Sequence, residues 1–172
     1  MKISKYFYLY IGLAILFVTF LFFNEIEMLK VRLEYLGPHI DFFVIAEAQA
    51  QAFADAYFEG LAISTLKISG QLSPKILVVA PKKRLSWQYH HRRAEIWRVI
   101  QGQAGVKRSA TDTEGELELL NVGDTITLQQ GERHRLIGLS DYAVIAEIWQ
   151  HTDASHPSDE DDIVRVQDDF GR

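Results

Sequence analysis

The chain has 172 residues, 48% of them hydrophobic, with a formal net charge of -5 and no cysteine. A chain of this length can bury one good core, so one catalytic domain is the upper limit. The acidic balance argues against the broad basic face that a nucleic-acid partner requires, and the absence of cysteine excludes disulfides and thiolate metal ligands.

The N-terminal extension, residues 1–49, differs in composition from the rest of the chain. Residues 6–23 form an uninterrupted apolar run preceded by Lys2 and Lys5, which is typical of a transmembrane or signal-anchor helix. No small-x-small cleavage site follows the run, which disfavours a cleaved signal peptide. This interpretation predicts that the protein associates with a membrane through residues 6–23.

The same extension fits a second interpretation. Two apolar runs flank a group of apolar residues that recur at helical spacing, which predicts a strand, an amphipathic helix and a second strand. The helical set is Ile26, Leu29, Leu33 and Leu36, and the second run covers residues 42–46. Segments 22–29 and 41–48 resemble the opening of the β-1,4-mannosyl-glycoprotein N-acetylglucosaminyltransferase family. The resemblance implies a truncated remnant without transferase activity, and both interpretations stay open.

From residue 50 onward the pattern predicts one short helix and many strands. Residues 50–60 carry Phe53, Ala54, Tyr57 and Phe58 on one helical face, and Gly60 is placed to end the helix. Strand-like runs separated by turn residues then follow at 76–80, 84–90, 95–100, 105–109, 116–120, 125–128, 134–138 and 142–150. Short strands with this punctuation predict an all-β sandwich or barrel.

Two motifs in these strands carry four potential metal ligands. The first reads Q-x-H-x4-E-x6-G from Gln88, and the second reads G-x5-Q-x-G-x2-H-x3-G from Gly123. Gln88 and His90 point to one face of a strand, Glu95 follows a short turn, and His134 approaches from a third strand. Two imidazoles, a carboxylate and an amide oxygen suit one divalent metal ion, with zinc favoured over manganese, iron, cobalt or nickel.

These are the two motifs of the cupin superfamily. Residues 84–102, 131–136 and 158–172 resemble the cupin domain of type II mannose-6-phosphate isomerases, and also the small cupins of that group often labelled phosphoheptose isomerases. The resemblance covers residues 50–172 and implies a double-stranded β-helix, or jelly-roll barrel. It also implies that the acidic tail closes the barrel by docking Ile163, Val164, Val166 and Phe170.

The resemblance implies metal-dependent aldose-ketose isomerisation of a sugar phosphate, which needs a Lewis acid, a base and cations for the phosphate. Glu147 is the candidate base. Arg92 keeps the strand parity of Gln88 and His90, so it is predicted to point inward as a catalytic residue, with an ion pair to Glu147 or Glu95 as the alternative. The candidate phosphate ligands are Arg84, Arg93 and Arg135, because a guanidinium binds phosphate in a fork.

A non-catalytic cupin that binds a sugar or sugar phosphate is the second interpretation, because Arg92 stands where typical members have a histidine. A metal-dependent dioxygenase is a third, which the leading Gln88 disfavours. We also expect a homodimer, since a small barrel exposes sheet edges. A cytosolic sugar-phosphate substrate predicts a cytoplasmic protein, anchored at the cytoplasmic face if residues 6–23 span a membrane.

Overall fold

The computed structural model describes residues 31–35, 40–66, 71–169 and 171. Its elements in chain order are β1 (Val31–Tyr35), β2 (Ile40–Ile45), α1 (Ala50–Tyr57), β3 (Lys75–Val79), β4 (Trp87–Tyr89), β5 (Arg93–Gln101), β6 (Ala104–Ser109), β7 (Leu117–Leu120), β8 (Thr125–Leu128), β9 (Arg133–Gly138), β10 (Ala143–His151) and β11 (Val164–Gln167). Single turns of 3-10 helix at Glu47–Gln49 and Ile63–Thr65 flank α1.

The strands form two antiparallel sheets. The six-stranded sheet has the order β1-β2-β3-β10-β5-β8, and the five-stranded sheet has the order β11-β4-β9-β6-β7. The crossovers between distant strands, such as β10 between β3 and β5, are those of a jelly roll rather than of a meander of neighbouring hairpins. The predicted all-β architecture is therefore confirmed.

The alternation along β5 shows how the strand pattern positions both core and site. Arg93, Glu95, Trp97 and Val99 are buried, whereas Ile96 and Arg98 between them are half-buried. Because successive side chains point to opposite faces of a strand, one inward face carries polar residues at its start and apolar residues at its end. The polar end faces the candidate site, and the apolar end enters the core.

The core lies between the two sheets and draws on β2, β3 and the strands from β5 to β10. Its buried members are Ile40, Leu77, Val79, Leu85, Trp97, Val99, Ala104, Val106, Leu120, Leu128, Leu136, Ala143 and Ile145. Each large aliphatic or aromatic side chain removed from water contributes about 1.5–3 kcal/mol, so this cluster supplies the main driving force that holds the sheets together. All three tryptophans are also buried, as expected for core aromatics.

The predicted strands from residue 76 to 150 each overlap one of the strands β3 to β10. The predicted helix at 50–60 is present as α1, and Gly60 adopts a positive φ of 77° shortly after its end. β11 pairs with β4, so the acidic tail does carry a closing strand. Within that strand Val164 is half-buried and Val166 is exposed, whereas Phe170 lies outside the described residues.

The N-terminal extension contributes two strands to the six-stranded sheet. The predicted run at 42–46 lies largely in β2, which pairs with β3 and buries Ile40, Phe43 and Ile45. The predicted amphipathic helix is wrong over Val31–Tyr35, which forms β1, because Val-Arg-Leu-Glu-Tyr also alternates apolar and polar residues with the period of a strand. The sheet therefore extends N-terminally beyond residue 50.

The predicted membrane-associated run at 6–23 lies outside the described residues. In the part of the chain that the structure does describe, no helix has the length and hydropathy needed to cross a membrane.

Candidate functional site

His90, Glu95 and His134 converge between the two sheets. His90 follows β4, Glu95 lies on β5 and His134 lies on β9. All three side chains are buried, and one ligand atom of each lies within 4.8 Å of the others. His90 Nε2 is 3.0 Å from Glu95 Oε1, and His134 Nε2 is 3.5 Å from Glu95 Oε2. The structure thus brings together three of the four predicted metal ligands.

Backbone carbonyls orient both imidazole rings. His90 Nδ1 lies 2.5 Å from the carbonyl oxygen of Asp162, and His134 Nδ1 lies 2.9 Å from that of Glu132. Because a carbonyl oxygen only accepts hydrogen bonds, the partners place a proton on Nδ1 of each ring. The Nε2 atoms therefore face Glu95, which is the arrangement used by metal-binding histidines.

The charges of the cluster also fit a cation. Burial is the main cause that lowers the pKa of His134 to about 4, so the ring is neutral at physiological pH. Burial opposes ionisation of Glu95, but His90, Arg93 and His134 outweigh it and hold the pKa of that carboxyl well below its usual range.

A neutral imidazole lone pair beside a carboxylate oxygen is repulsive unless a cation lies between them. His134 Nε2 is buried and has no hydrogen-bond partner among the residues that the structure describes. Two imidazole nitrogens and a carboxylate are common ligands of zinc and of related divalent ions. The residues present therefore fit the predicted metal ion.

Gln88, the fourth predicted ligand, lies beside the other three. It pairs with His134 across β4 and β9, and its side chain lines the same cavity as Glu95. Its Oε1 accepts a hydrogen bond from Ser86 Oγ at 2.5 Å. The amide oxygen is thus already engaged by a neighbouring hydroxyl, which sets its orientation on the cavity wall.

A cavity of about 110 Å³ adjoins the cluster, and Glu147 projects into it from β10. Trp149 Nε1 donates a hydrogen bond to Glu147 Oε1 at 3.2 Å. Burial, followed by the negative charge of Glu95, raises the pKa of Glu147 to about 8. A carboxyl group with this pKa exchanges its proton near neutral pH, as the predicted base must do.

Arg93 lines this cavity as well, but its donors are largely used by the protein itself. Its Nε donates to Glu95 Oε1 at 3.0 Å, and its Nη1 donates to Ser158 Oγ at 2.9 Å. The guanidinium also stacks on Trp149, with 3.8 Å between its central carbon and the ring centroid. Arg93 therefore neutralises Glu95 and holds the C-terminal segment.

The other two arginines predicted to bind phosphate face away from the cavity. Arg135 follows His134 on β9 and so points to the opposite face of the sheet, where its Nη1 donates to Glu114. Arg84 forms a two-point ion pair with Asp169, at 2.7 and 2.9 Å. Strand alternation and these carboxylate partners separate both residues from the candidate metal ligands.

The predicted inward orientation of Arg92 is wrong. It required a strand continuous through residue 92, but β4 ends at Tyr89 and the chain bends at residues 91 and 92. Arg92 Nη1 donates to the carbonyl oxygen of Pro157 at 2.8 Å, and Nη2 pairs with Asp159 Oδ1 at 3.0 Å. Its ion-pair partners are thus acidic residues of the C-terminal segment rather than Glu147 or Glu95.

Two residues of the site carried no functional signal in the sequence. Asp162 fixes the bend at residues 90–92, which carries His90. Its carboxylate accepts hydrogen bonds from the backbone N–H groups of His91 and Arg92 at 3.0 and 2.9 Å, and its carbonyl oxygen contacts His90 Nδ1. Lys75 begins the buried strand β3 and lines the cavity. Asp162 is one of many acidic residues in the tail, and Lys75 directly precedes an apolar run, so neither stood out in the sequence.

A family model described as "Mannose-6-phosphate isomerase C-terminal" matches residues 47–168. Among curated proteins, "Xanthan biosynthesis protein XanB" of Xanthomonas campestris pv. campestris is 32% identical over 111 residues, which is 64% of this chain and 22% of that protein. "Mannose-1-phosphate guanylyltransferase ManC" of Salmonella typhimurium is 34% identical over 98 residues, which is 57% of this chain and 19% of that protein. The chain thus spans about a fifth of the length of these relatives.

Solved structures confirm the fold. Oxalate decarboxylase from Bacillus subtilis aligns with a TM-score of 0.54 at 16% identity, covering 79% of this chain and 30% of that one. The capsular polysaccharide assembling protein CapF from Staphylococcus aureus aligns with a TM-score of 0.53 at 11% identity, covering 80% of this chain and 34% of that one. These neighbours share the predicted cupin barrel, and at such identities the likeness concerns the fold alone.

Proposed function

Because the chain belongs to the family of mannose-6-phosphate isomerase C-terminal domains, we propose that it is a metal-dependent isomerase that interconverts aldose and ketose sugar phosphates of the mannose-6-phosphate or phosphoheptose type. The observation that carries the proposal is the buried His90, Glu95 and His134 cluster beside a cavity that also contains Glu147. The curated relatives are named for mannose phosphate metabolism and xanthan biosynthesis. This context supports a role in supplying nucleotide-sugar or polysaccharide precursors.

The metal would be held by His90, Glu95 and His134, with Gln88 as the fourth ligand, and zinc suits this donor set best. When bound, such an ion acts as a Lewis acid that makes the proton next to a carbonyl easier to remove. Arg93 balances the charge of Glu95 and keeps its carboxylate ionised and oriented. Asp162 and Glu132 keep both imidazoles in the tautomer that binds a cation.

Glu147 is the proposed base. Its carboxylate takes the proton from the hydroxyl-bearing carbon beside the carbonyl and returns it to the carbonyl carbon, while the proton of that hydroxyl passes to the carbonyl oxygen, so that an aldose becomes a ketose. Trp149 Nε1 orients one oxygen of this carboxyl group. Because the pKa of Glu147 is about 8, the proposal predicts that turnover rises with pH through that value.

A non-catalytic cupin that binds a sugar phosphate is the second candidate, and Arg93 favours it. Arg93 Nη2 lies 3.3 Å from His90 Nε2, the atom that a metal ion would need. A guanidinium in that place supplies positive charge to Glu95 without any metal. In this alternative the cluster is a charge-balanced structural network, and the cavity only binds its ligand.

The discriminating experiment combines metal analysis with turnover of mannose 6-phosphate and of sedoheptulose 7-phosphate by the full-length protein. Isomerisation that disappears on chelation and falls by about 100-fold or more in Glu147→Gln supports the isomerase. Glu116→Gln, which changes an exposed glutamate, is the matched control. Binding of either sugar phosphate without turnover and without metal would instead establish the non-catalytic alternative.

We also propose a homodimer located in the cytoplasm. The edge strand β7 exposes Leu117 and Leu119, and exposed apolar edge strands favour pairing with a second chain. A sugar-phosphate substrate would be met in the cytoplasm. Membrane association through residues 6–23 stays a prediction from the sequence.

A further inference from the structure

A carboxylate of the chain itself lies at the mouth of the cavity. Glu160 Oε2 is 3.0 Å from Lys75 Nζ, and Glu160 Oε1 accepts a hydrogen bond from Ser73 Oγ at 2.9 Å. Both Glu160 and Lys75 line the cavity. An ammonium group and a hydroxyl thus hold the two oxygens of one anion at this point.

The two partners of this ion pair differ strongly in exposure. The Lys75 side chain is 9% exposed, whereas that of Glu160 is 60% exposed. Lys75 is further held over the ring of Trp149, with 4.5 Å from Nζ to the ring centroid. A buried ammonium group needs an anion at all times, whereas an exposed carboxylate returns to water at little cost. The cation is therefore built into the site, and its present anion is replaceable.

Ser73 is placed for the same task by a strained backbone. Its φ of 42° lies in the left-handed region, which is costly for a residue with a side chain. Glu47 holds this conformation by accepting the backbone N–H groups of Leu72 and Ser73 at 2.9 and 3.3 Å. Strain of this kind persists where the surrounding structure over-determines it, and here it aims the Ser73 hydroxyl at the bound carboxylate.

The size of the cavity places part of a substrate at this mouth. Its volume of about 110 Å³ is smaller than the roughly 150 Å³ cavity that accepts benzene. A hexose phosphate is much larger than benzene, so the cavity cannot enclose all of it. Part of the substrate must then lie at the mouth, where Lys75 and the exposed Glu160 line the cavity. Arg165 of β11 is exposed but pairs with Gln88 of β4 and lines the same cavity, so it adds positive charge there.

We propose that Lys75 and Ser73 form the phosphate subsite of this cavity, and that the Glu160 carboxylate occupies the subsite until a substrate phosphate displaces it. The inference rests on the proposed sugar-phosphate function and specifies where the phosphate binds. Displacement needs only a rotation of the Glu160 side chain, because Asp159 and Asp162 on either side stay tied to Arg92 and the backbone of residues 91 and 92.

The test is a calorimetric titration of the full-length protein with inorganic phosphate and with mannose 6-phosphate, after dialysis against a chelator so that no metal binds the anion. Lys75→Met should weaken phosphate binding by at least about tenfold, because a charge-assisted hydrogen bond is lost. Ser73→Ala should weaken it less. Glu160→Gln should strengthen it by up to about fivefold, because the internal competitor is removed. Lys83→Met, which removes a lysine outside the cavity lining, should change nothing.

The expected gain in phosphate affinity in Glu160→Gln cannot be explained by misfolding, since a damaged protein does not bind more tightly. Unchanged phosphate affinity in Lys75→Met, or no gain in Glu160→Gln, would overturn the proposal. A separate turnover assay distinguishes it from the proposed function. If no isomerisation occurs but the binding pattern holds, the subsite stands and the isomerase fails. If isomerisation occurs and Lys75→Met leaves KM unchanged, the subsite fails and the isomerase stands.

Discussion

Replacing Glu147 by glutamine should remove most of the pH dependence of stability near neutral pH. Glu147 is 6% exposed, and burial raises its pKa from an ordinary 4.5 to about 8. A group whose pKa is raised on folding stabilises the native state fully below the unfolded pKa, and this contribution is lost as the pH rises through the folded pKa. Glutamine has nearly the same shape and stays neutral, so it lacks this loss.

The size of the effect follows from proton linkage. Between about pH 6 and pH 8 the unfolded chain has released a proton that native Glu147 still holds. The free energy of unfolding should therefore fall by about 1.4 kcal/mol per pH unit up to about pH 7 and less steeply towards pH 8, or by about 2 kcal/mol over this range. His134 contributes with the opposite sign at lower pH. Burial lowers its pKa to about 4, so as the pH falls the unfolded chain takes up this proton before the native chain does. Its contribution to the free energy of unfolding therefore decreases as the pH falls.

The assay is urea unfolding of the chelator-treated protein at several pH values, followed by tryptophan fluorescence. The difference between the wild type and Glu147→Gln isolates this one group, because all other titrations are shared. Glu116→Gln controls for the loss of a carboxylate at an exposed position. If the free energy of unfolding changes with pH equally in the wild type and in Glu147→Gln, the argument that burial keeps this carboxyl protonated is refuted.

Four other outcomes are expected. Purified protein should carry about one equivalent of divalent metal by mass spectrometry, and His90→Ala or His134→Ala should each remove it and the thermal stabilisation that metal provides. Asp162→Ala should weaken metal binding by about 10-fold to 100-fold, because His90 loses the fixed position of its carbonyl partner. A chain that starts at residue 50 should melt at a lower temperature than one that starts at residue 31, because it lacks β2 and exposes the edge of β3. Light scattering should give a dimer at micromolar concentration, and a clean monomer would contradict the proposed pairing.

Local patterns were sufficient to predict the barrel and the convergence of three candidate metal ligands. Alternation with period two is a property of neighbouring residues, so the strands from β3 to β10 and the inward face of β5 could be predicted from the chain alone. The spacing of Gln88, His90, Glu95 and His134 predicted their convergence, which the structure confirms for the two histidines and Glu95. Local pattern was ambiguous at Val31–Tyr35, because these residues fit a helix and a strand equally well until β2 pairs with them.

The tertiary structure decided which charged residues face the site. Arg92 and Arg93 are adjacent and chemically identical. Arg92 lies in the bend after β4 and pairs with Asp159, whereas Arg93 begins β5 and donates to Glu95. Lys75 meets Glu160 across 85 positions of sequence, and no local pattern records a contact over that distance. Parity along a strand predicts a side chain's direction only while the strand continues, and pairing with other strands decides where it stops.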